Sequence, residues 1–349
     1  MSGAAHLVHT LRAQGAFCGA SGSPMYDELC GLVAADVEAR GVFASILSGR
    51  EDAPSREAVP LRLLGGLHRL VLDGRAPGLR RWYPSAGGAW DADSAWPEIV
   101  RAAAEHADAL REALGRPPQT NEVGRSAALI GGLLRLDRGF GLPVMLFEVG
   151  CSAGLNLRAD HYRYHHAGGG WGPDDSPVTI GDAWRGRLPP QGAVRIAERH
   201  GYDIAPIDVT GTDGELTVLS YVWPDQAARL DRLRGAIEVA RRVPARLHRR
   251  RAGDAVGGLT LADGALTVLW HSITWQYLSA EERAAVRDGV DALGARAEAS
   301  APFAHLTLEP AREGPGAPVK FLVRARRWPG GDLEVLAECH PHGPPVNWQ

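Results

Sequence analysis

The sequence predicts an α/β chain: an all-helical N-terminal region over about residues 1–140, then a mostly parallel sheet over about 141–349 that ends in an antiparallel hairpin. Three observations carry this. Before residue 140, apolar residues recur at the three-to-four spacing of helices. After it, short apolar runs of β type alternate with helical stretches, the pattern of an α/β sheet. Between them, the run VMLFEV enters the small-residue turn Gly150-Cys151-Ser152-Ala153-Gly154 without a break.

Composition bounds the class. A chain of 349 residues, 45% apolar, has material for two domains or one large unit. Gly 43 and Pro 24 predict many turns yet stay below the ~25–30% typical of low-complexity chains. The formal charge of −3 offers nothing to nucleic acid or an anionic membrane. Four cysteines, with no Cys-x-x-Cys pair, make no disulfide framework. No basic-then-apolar leader opens the sequence, and no apolar run reaches the ~18–20 residues of a membrane helix. The expectation is a soluble, cytoplasmic protein with a small-molecule partner, its oligomeric state open.

In order, Leu7 and Leu11 mark a short first helix. A second runs from about Pro24 to Leu47, with Ser23 as its cap and Pro24 in the first turn. A third carries Leu63, Leu67 and Leu70 and stops before Asp73-Gly74. Residues 80–95 read as an aromatic-rich loop. Helices resume at about 96–114 and 121–136. Strands are expected at Val144–Val149, Val194–Glu198, Ala265–Trp270 and Phe303–Leu308, with Lys320–Arg326 and Leu333–Ala337 as the closing hairpin. An insertion at about 162–192, rich in glycine and tryptophan, separates the first two strands. It is expected to line a pocket.

The turn at 150–154 admits several readings. A dinucleotide fingerprint requires glycine where Ser152 and Leu155 stand. A nucleophile elbow, G-x-S-x-G, fits to the letter, with Ser152 attacking an acyl carbon and Asp208 or Asp254 with His340 or His342 completing a triad. A nucleoside-binding turn of class I S-adenosylmethionine-dependent methyltransferases has an acid, then glycine, a small residue and glycine; Glu148, Gly150, Ser152 and Gly154 occupy those places. A tight strand-to-helix turn without a ligand is the plainest alternative.

Later segments resemble further methyltransferase motifs in the right order. Asp203, in His200-Gly201-Tyr202-Asp203, resembles the strand-end acid that holds both ribose hydroxyls; a loop aspartate capping its own backbone is the competing reading. Asp254, in Arg251-Ala252-Gly253-Asp254, resembles the acid that contacts the adenine amine. Leu266–Ser272 resembles the fourth strand. Asn156 belongs with the turn in the cofactor set.

Longer signatures carry a closer resemblance. Gln119-Thr120-Asn121-Glu122-Val123-Gly124-Arg125, Phe147–Leu157, Tyr221-Val222-Trp223-Pro224-Asp225-Gln226, Trp270–Tyr277 and His340-Pro341-His342-Gly343 resemble a bacterial, largely actinobacterial, family, domain of unknown function 2332. The likeness spans nearly the whole chain. It implies a Rossmann-like methyltransferase fold behind a helical N-terminal region.

Roles follow from that reading. Asn121, Glu122 and Arg125 would lie on a helix beside the methionine end of S-adenosylmethionine, with Arg125 gripping the carboxylate; a surface ion pair is the alternative. His271 or Asp208 would serve as general base, and Tyr277 with Trp275 would wall the sulfonium. Against this, a histidine at a strand end is often just a satisfied structural group. Residues 221–226 form a lid or a packed kink. His161, His165 and His166 read as solvated rather than as metal ligands, and no metal is expected. The function expected is methyl transfer to an O or N nucleophile of a small molecule. A serine hydrolase and a non-catalytic small-ligand-binding protein remain the alternatives.

Overall fold

The computed structural model describes residues 3–137, 141–312, 314 and 316–349. The change of character at residue 140 itself lies outside the described residues. The chain divides into two compact units: Met1–Thr120 with Gly211–Leu230, and Asn121–Thr210 with Asp231–Gln349.

The first unit is helical. It contains α1 (Gly3–Ala20), α2 (Pro24–Glu38), α3 (Val42–Ile46), α4 (Val59–Leu72), α5 (Ala92–Glu105), α6 (Ala107–Leu114) and α8 (Thr212–Ser220), besides short 3-10 turns. The first helix is a full 18 residues rather than a short one. Ser23 caps α2 as expected, its Oγ accepting from the Tyr26 amide at 3.3 Å. The long second helix breaks at Arg40, whose φ of 58° no α-helix admits, so Val42 starts a separate helix. Segment 221–226 takes the packed reading. Asp225 accepts from Ser23 Oγ at 2.6 Å and from the Met25 amide at 3.1 Å, and Trp223 lies in the apolar core beside Tyr26.

The second unit is built on a nine-stranded mixed sheet. Its strands are β1 (Val144–Val149), β5 (Trp184–Gly186), β6 (Ile196–Asp203), β7 (Arg246–Arg249), β8 (Leu266–Ser272), β9 (Phe303–Ala311), β10 (Lys320–Trp328), β11 (Leu333–His340) and β12 (Gly343–Trp348). They lie in the order β5-β12-β11-β10-β9-β8-β1-β6-β7. The five strands β7-β6-β1-β8-β9 are mutually parallel. Within the insertion, β2 (Arg163–His166), β3 (Gly169–Trp171) and β4 (Thr179–Ile180) form a separate small sheet. The expected closing hairpin is larger than foreseen: β9, β10, β11 and β12 pair antiparallel in succession, and β5 adds in parallel to β12. Pro344-Pro345 hid β12, because proline lacks the ladder donor. Its pairing to β11 skips both prolines.

The sheet's two faces are covered differently. Helices α10 (Ala252–Gly257) and α11 (Ala280–Arg296) bury Phe147, Tyr202, Leu269 and Phe303 on one face. On the other, α7 (Ser126–Asp137) sets Gly132 against Leu306 and Gly131 against the Trp348 ring. The helix α9 (Ala227–Arg242) precedes β7. All four cysteines are buried and free. Among the described residues, no helix is long and apolar enough to cross a membrane.

Candidate functional site

Chain order within the parallel strands reverses between β1 and β8: β1 leads to β6 on one side, and β7 leads back across to β8 on the other. In open α/β sheets this crevice, at the carboxyl ends of the strands, is where ligands collect. The chemistry-bearing residues at that edge fall into two groups, because strand register sends them to opposite faces.

The first group surrounds the turn. Glu148 pairs with Trp270 on β8 and Gly201 on β6, so these three share a face. Burial pushes the Glu148 carboxyl up to about 8, against the opposing pull of Asn156, Arg158, Trp270 and Arg125. Its Oε2, the Asn156 Oδ1 and the Trp270 Nε1 are buried without hydrogen-bond partners. Asn121 Oδ1 accepts from the Leu155 amide at 3.0 Å, at the start of the 3-10 turn Leu155–His161. Asp203, at the end of β6, accepts from the Ser152 amide through Oδ2 and from the Ala205 amide through Oδ1, each at 2.9 Å. It therefore caps its own loop and ties that loop to the turn.

The glycines of the turn serve packing. Gly150 and Gly154 hold φ of 71° and 63°, values that β-carbon-bearing residues disfavour. A β-carbon on Gly150 would collide with Thr274, and one on Gly154 would come within 2.7 Å of Leu247. Expected as faces open to a ligand, both are occupied by the chain's own side chains. Arg158 clamps the turn from behind, donating to the Gly154 carbonyl at 2.7 Å and to Val243 at 3.0 Å. It lines a cavity of about 510 Å3 with Ala153, Asp208, Arg241 and Leu247.

Three expectations are corrected here. Asn121, Glu122 and Arg125 are not on a helix. Glu122 precedes a single 3-10 turn, Val123–Arg125, and its Oε1 accepts from the Gly124 amide at 3.0 Å. Arg125 donates to the carbonyls of Pro341 at 2.9 Å and Ser272 at 3.4 Å, so it joins two loops. Asp208 accepts from the amide and hydroxyl of Thr210, which holds its carboxyl below the usual range. That leaves it a loop cap rather than a base. Asp254 sits exposed on α10, on the face away from Glu148. Tyr277 is 49% exposed in the 3-10 turn Trp275–Tyr277.

The second group gathers on the opposite face. His271 follows Trp270 by one residue, so its side chain joins Leu269 and Phe147 on the face of α11. Its Nδ1 lies 2.8 Å from Glu309 Oε1. The same oxygen accepts from the amides of Thr274 at 2.9 Å and Trp275 at 3.2 Å. His271 is stacked on Trp275 and lies beside His305, with ring centroids 5.5 and 5.1 Å away. Its Nε2 is buried and unpartnered. It lines a cavity of about 410 Å3.

Sequence reasoning missed Arg158, Thr274, Glu309 and His305. A signal for two of them was present. His305, Thr307 and Glu309 stand at every second position of an otherwise apolar strand, the spacing of one shared face. Among the described residues, no group of three His, Cys, Asp or Glu side chains could hold a metal ion. His165 is exposed, as expected, but His166 is buried against Trp184.

Fold and site together define a mixed α/β protein with two polar groups at the carboxyl edge of its sheet. The chain belongs to the family described as "Uncharacterized protein conserved in bacteria (DUF2332)", whose model matches residues 8–348. No curated protein and no solved structure matches it.

Proposed function

We propose that the chain binds S-adenosylmethionine at the carboxyl edge of β1 and β6 and transfers its methyl group to an O or N nucleophile of a small molecule. One observation carries this reading: the buried Glu148 carboxyl, whose Oε2 and the neighbouring Asn156 Oδ1 are left without partners. Once the carboxyl gives up its proton the two are acceptors side by side, which suits an ammonium group with its three donors and positive charge. The chain order 3-2-1-4-5 of the parallel strands, with Glu148 at the switch point, supports the same reading. So does Ile204, 59% exposed directly after Asp203, which offers an apolar face to a base whose ribose the acid would hold.

When bound, S-adenosylmethionine supplies a methyl group made electrophilic by its sulfonium. The chain's own residues hold and orient. Glu148 and Asn156 receive the ammonium, and Asp203 keeps lone pairs for ribose hydroxyls beyond the two amides it already accepts. Of the two candidate bases, Asp208 is taken up by Thr210; His271, its ring oriented by Glu309, stands on the sheet face opposite Glu148 and would serve only an acceptor that reaches the carboxyl edge from that side. Positioning in a dry site would provide most of the acceleration.

Calorimetry with S-adenosylhomocysteine at pH 7, in buffers of different ionisation heat, tests the claim. A Glu148 carboxyl held near 8 is mostly protonated, so binding an ammonium should release close to one proton. Glu148→Gln should abolish both the release and most of the affinity. No binding at millimolar ligand overturns the reading. Binding without transfer to any acceptor would leave a non-catalytic binding protein.

One observation favours a second reading. Ser152 has a φ of 51° on a strand-to-helix turn, the strained backbone of a nucleophile elbow. A serine hydrolase requires that a fluorophosphonate probe label wild type and not Ser152→Ala.

A further inference from the structure

The cavity between α11, β9 and β10 is built as a ligand site in its own right. Its walls are largely apolar: Trp275, Val286, Val290, Pro310 and Leu333. Its floor is polar and unsatisfied. His271 Nε2, His305 Nε2, Glu309 Oε2 and Arg324 Nε are all buried without partners, and His271 is 4% exposed. Buried polar atoms are seldom left unpaired without a reason. A mostly apolar cavity on which a few such atoms converge is the usual form of a small-molecule site.

The floor has a direction. Glu309 Oε1 accepts from two backbone amides, which are donors only, so it also accepts from His271 and assigns the proton to Nδ1. His271 Nε2, buried and unpartnered in a residue that lines the cavity, then carries a lone pair that can accept a proton from a ligand hydroxyl. Positive charge lies at the other end. Asp291 is held by Arg326 at 2.9 Å. Arg287 lies over the Trp275 ring, 5.5 Å from its centroid. Among the described residues, neither Arg287 nor Arg324 has a carboxylate partner. His305 stays neutral, because burial and the neighbouring His271 and Arg326 hold it well below its ordinary value.

Register sets the span. His271 on β8 and Arg324 on β10 both pair with Thr307 on β9, so the three stand abreast on one face. Base and cation are two strand spacings apart, roughly 10 Å. That distance suits one six-membered ring with a polar group at each end. We propose that this cavity binds a small hydroxylated ring compound bearing an anionic group, its hydroxyl on His271 and its anion at Arg324 and Arg287. The hydroxyl proton passes to Nε2, leaving an imidazolium paired with Glu309 and an oxyanion on the ligand. As the methyl acceptor this ligand rests on the reading proposed above, while its binding rests on the cavity alone.

Calorimetry of the full chain, without S-adenosylmethionine, tests it with 4-hydroxybenzoate, benzoate and phenol. 4-Hydroxybenzoate should bind below millimolar, and each of the others at least tenfold more weakly. Arg324→Gln should bring 4-hydroxybenzoate down to the level of phenol. His271→Gln should bring it down to the level of benzoate. Arg287→Ala, at an exposed position, gives a variant that keeps its fold and should weaken 4-hydroxybenzoate and benzoate alike, about threefold or more. No heat up to 10 mM, equal affinity for phenol, or variants that bind like wild type overturn the proposal. Failure of S-adenosylhomocysteine to bind would sink the cofactor reading and leave this site standing.

Discussion

Glu148 and Glu309 stand at the carboxyl edge of one sheet, on opposite faces, and they have been given opposite surroundings. Glu309 accepts three hydrogens through a single oxygen and turns a histidine toward a cavity. Glu148 lies deeper, with only the side chains of Asn156, Trp270, Arg158 and Arg125 pulling against burial, and is pushed up to about 8; each of the two carboxyls keeps its Oε2 buried and unpartnered. Burial with backbone donors uses a carboxylate as a scaffold; burial without them stores an acid that waits for a cation.

The largest effect expected from this contrast is at Glu309. Glu309→Ala leaves an imidazole N–H and two amides without their acceptor, and should cost about 3–5 kcal/mol in urea unfolding. Glu309→Gln, which keeps an acceptor oxygen, should cost much less. Equal losses would mean that packing rather than hydrogen bonding decides the position.

Glu148→Gln should act in the other direction. The folded-state value lies above the unfolded one, so the folded chain binds more protons between the two, and stability falls as pH rises from about 4.5 to about 8. The substitution removes that loss. It should stabilise by a few kcal/mol at pH 8 and by almost nothing at pH 4. A gain that does not change with pH would place the orphan carboxyl outside this account.

Asp203→Ala should come next, at about 1–2 kcal/mol, because the amides of Ser152 and Ala205 lose their acceptor together. Asp208→Ala should be smallest, under about 1 kcal/mol, since Asp208 is exposed and caps only Thr210. Reversed ranking of these two would move the functional loop end from Asp203 to Asp208.

Much of the frame is legible in the residues. Ser23-Pro24 announces the start of α2, VMLFEV followed by Gly150 announces β1 and its turn, and Asp203 ends its strand as the resemblance implied, although that strand runs five residues past the expected Glu198. Other features were not. Asn121–Arg125 looks helical by composition, yet Glu122 is drawn off to cap the Gly124 amide. The small residues at 150 and 154 suggest an open cradle, but which atoms approach them depends on Thr274 and Leu247, over ninety residues away.

The chain's own order of residues determined most of the helices and strands, the cap of α2, and which side chains within one strand share a face, because these depend on neighbours within a few positions. Only the folded sheet decided which face of one strand meets which face of the next. A shift of one residue between β1 and β8 would have set His271 beside Glu148. The register adopted sets Trp270 there instead, and it is held by the burial of each strand's apolar side chains against helices distant in sequence, since the backbone hydrogen bonds alone would form in either register.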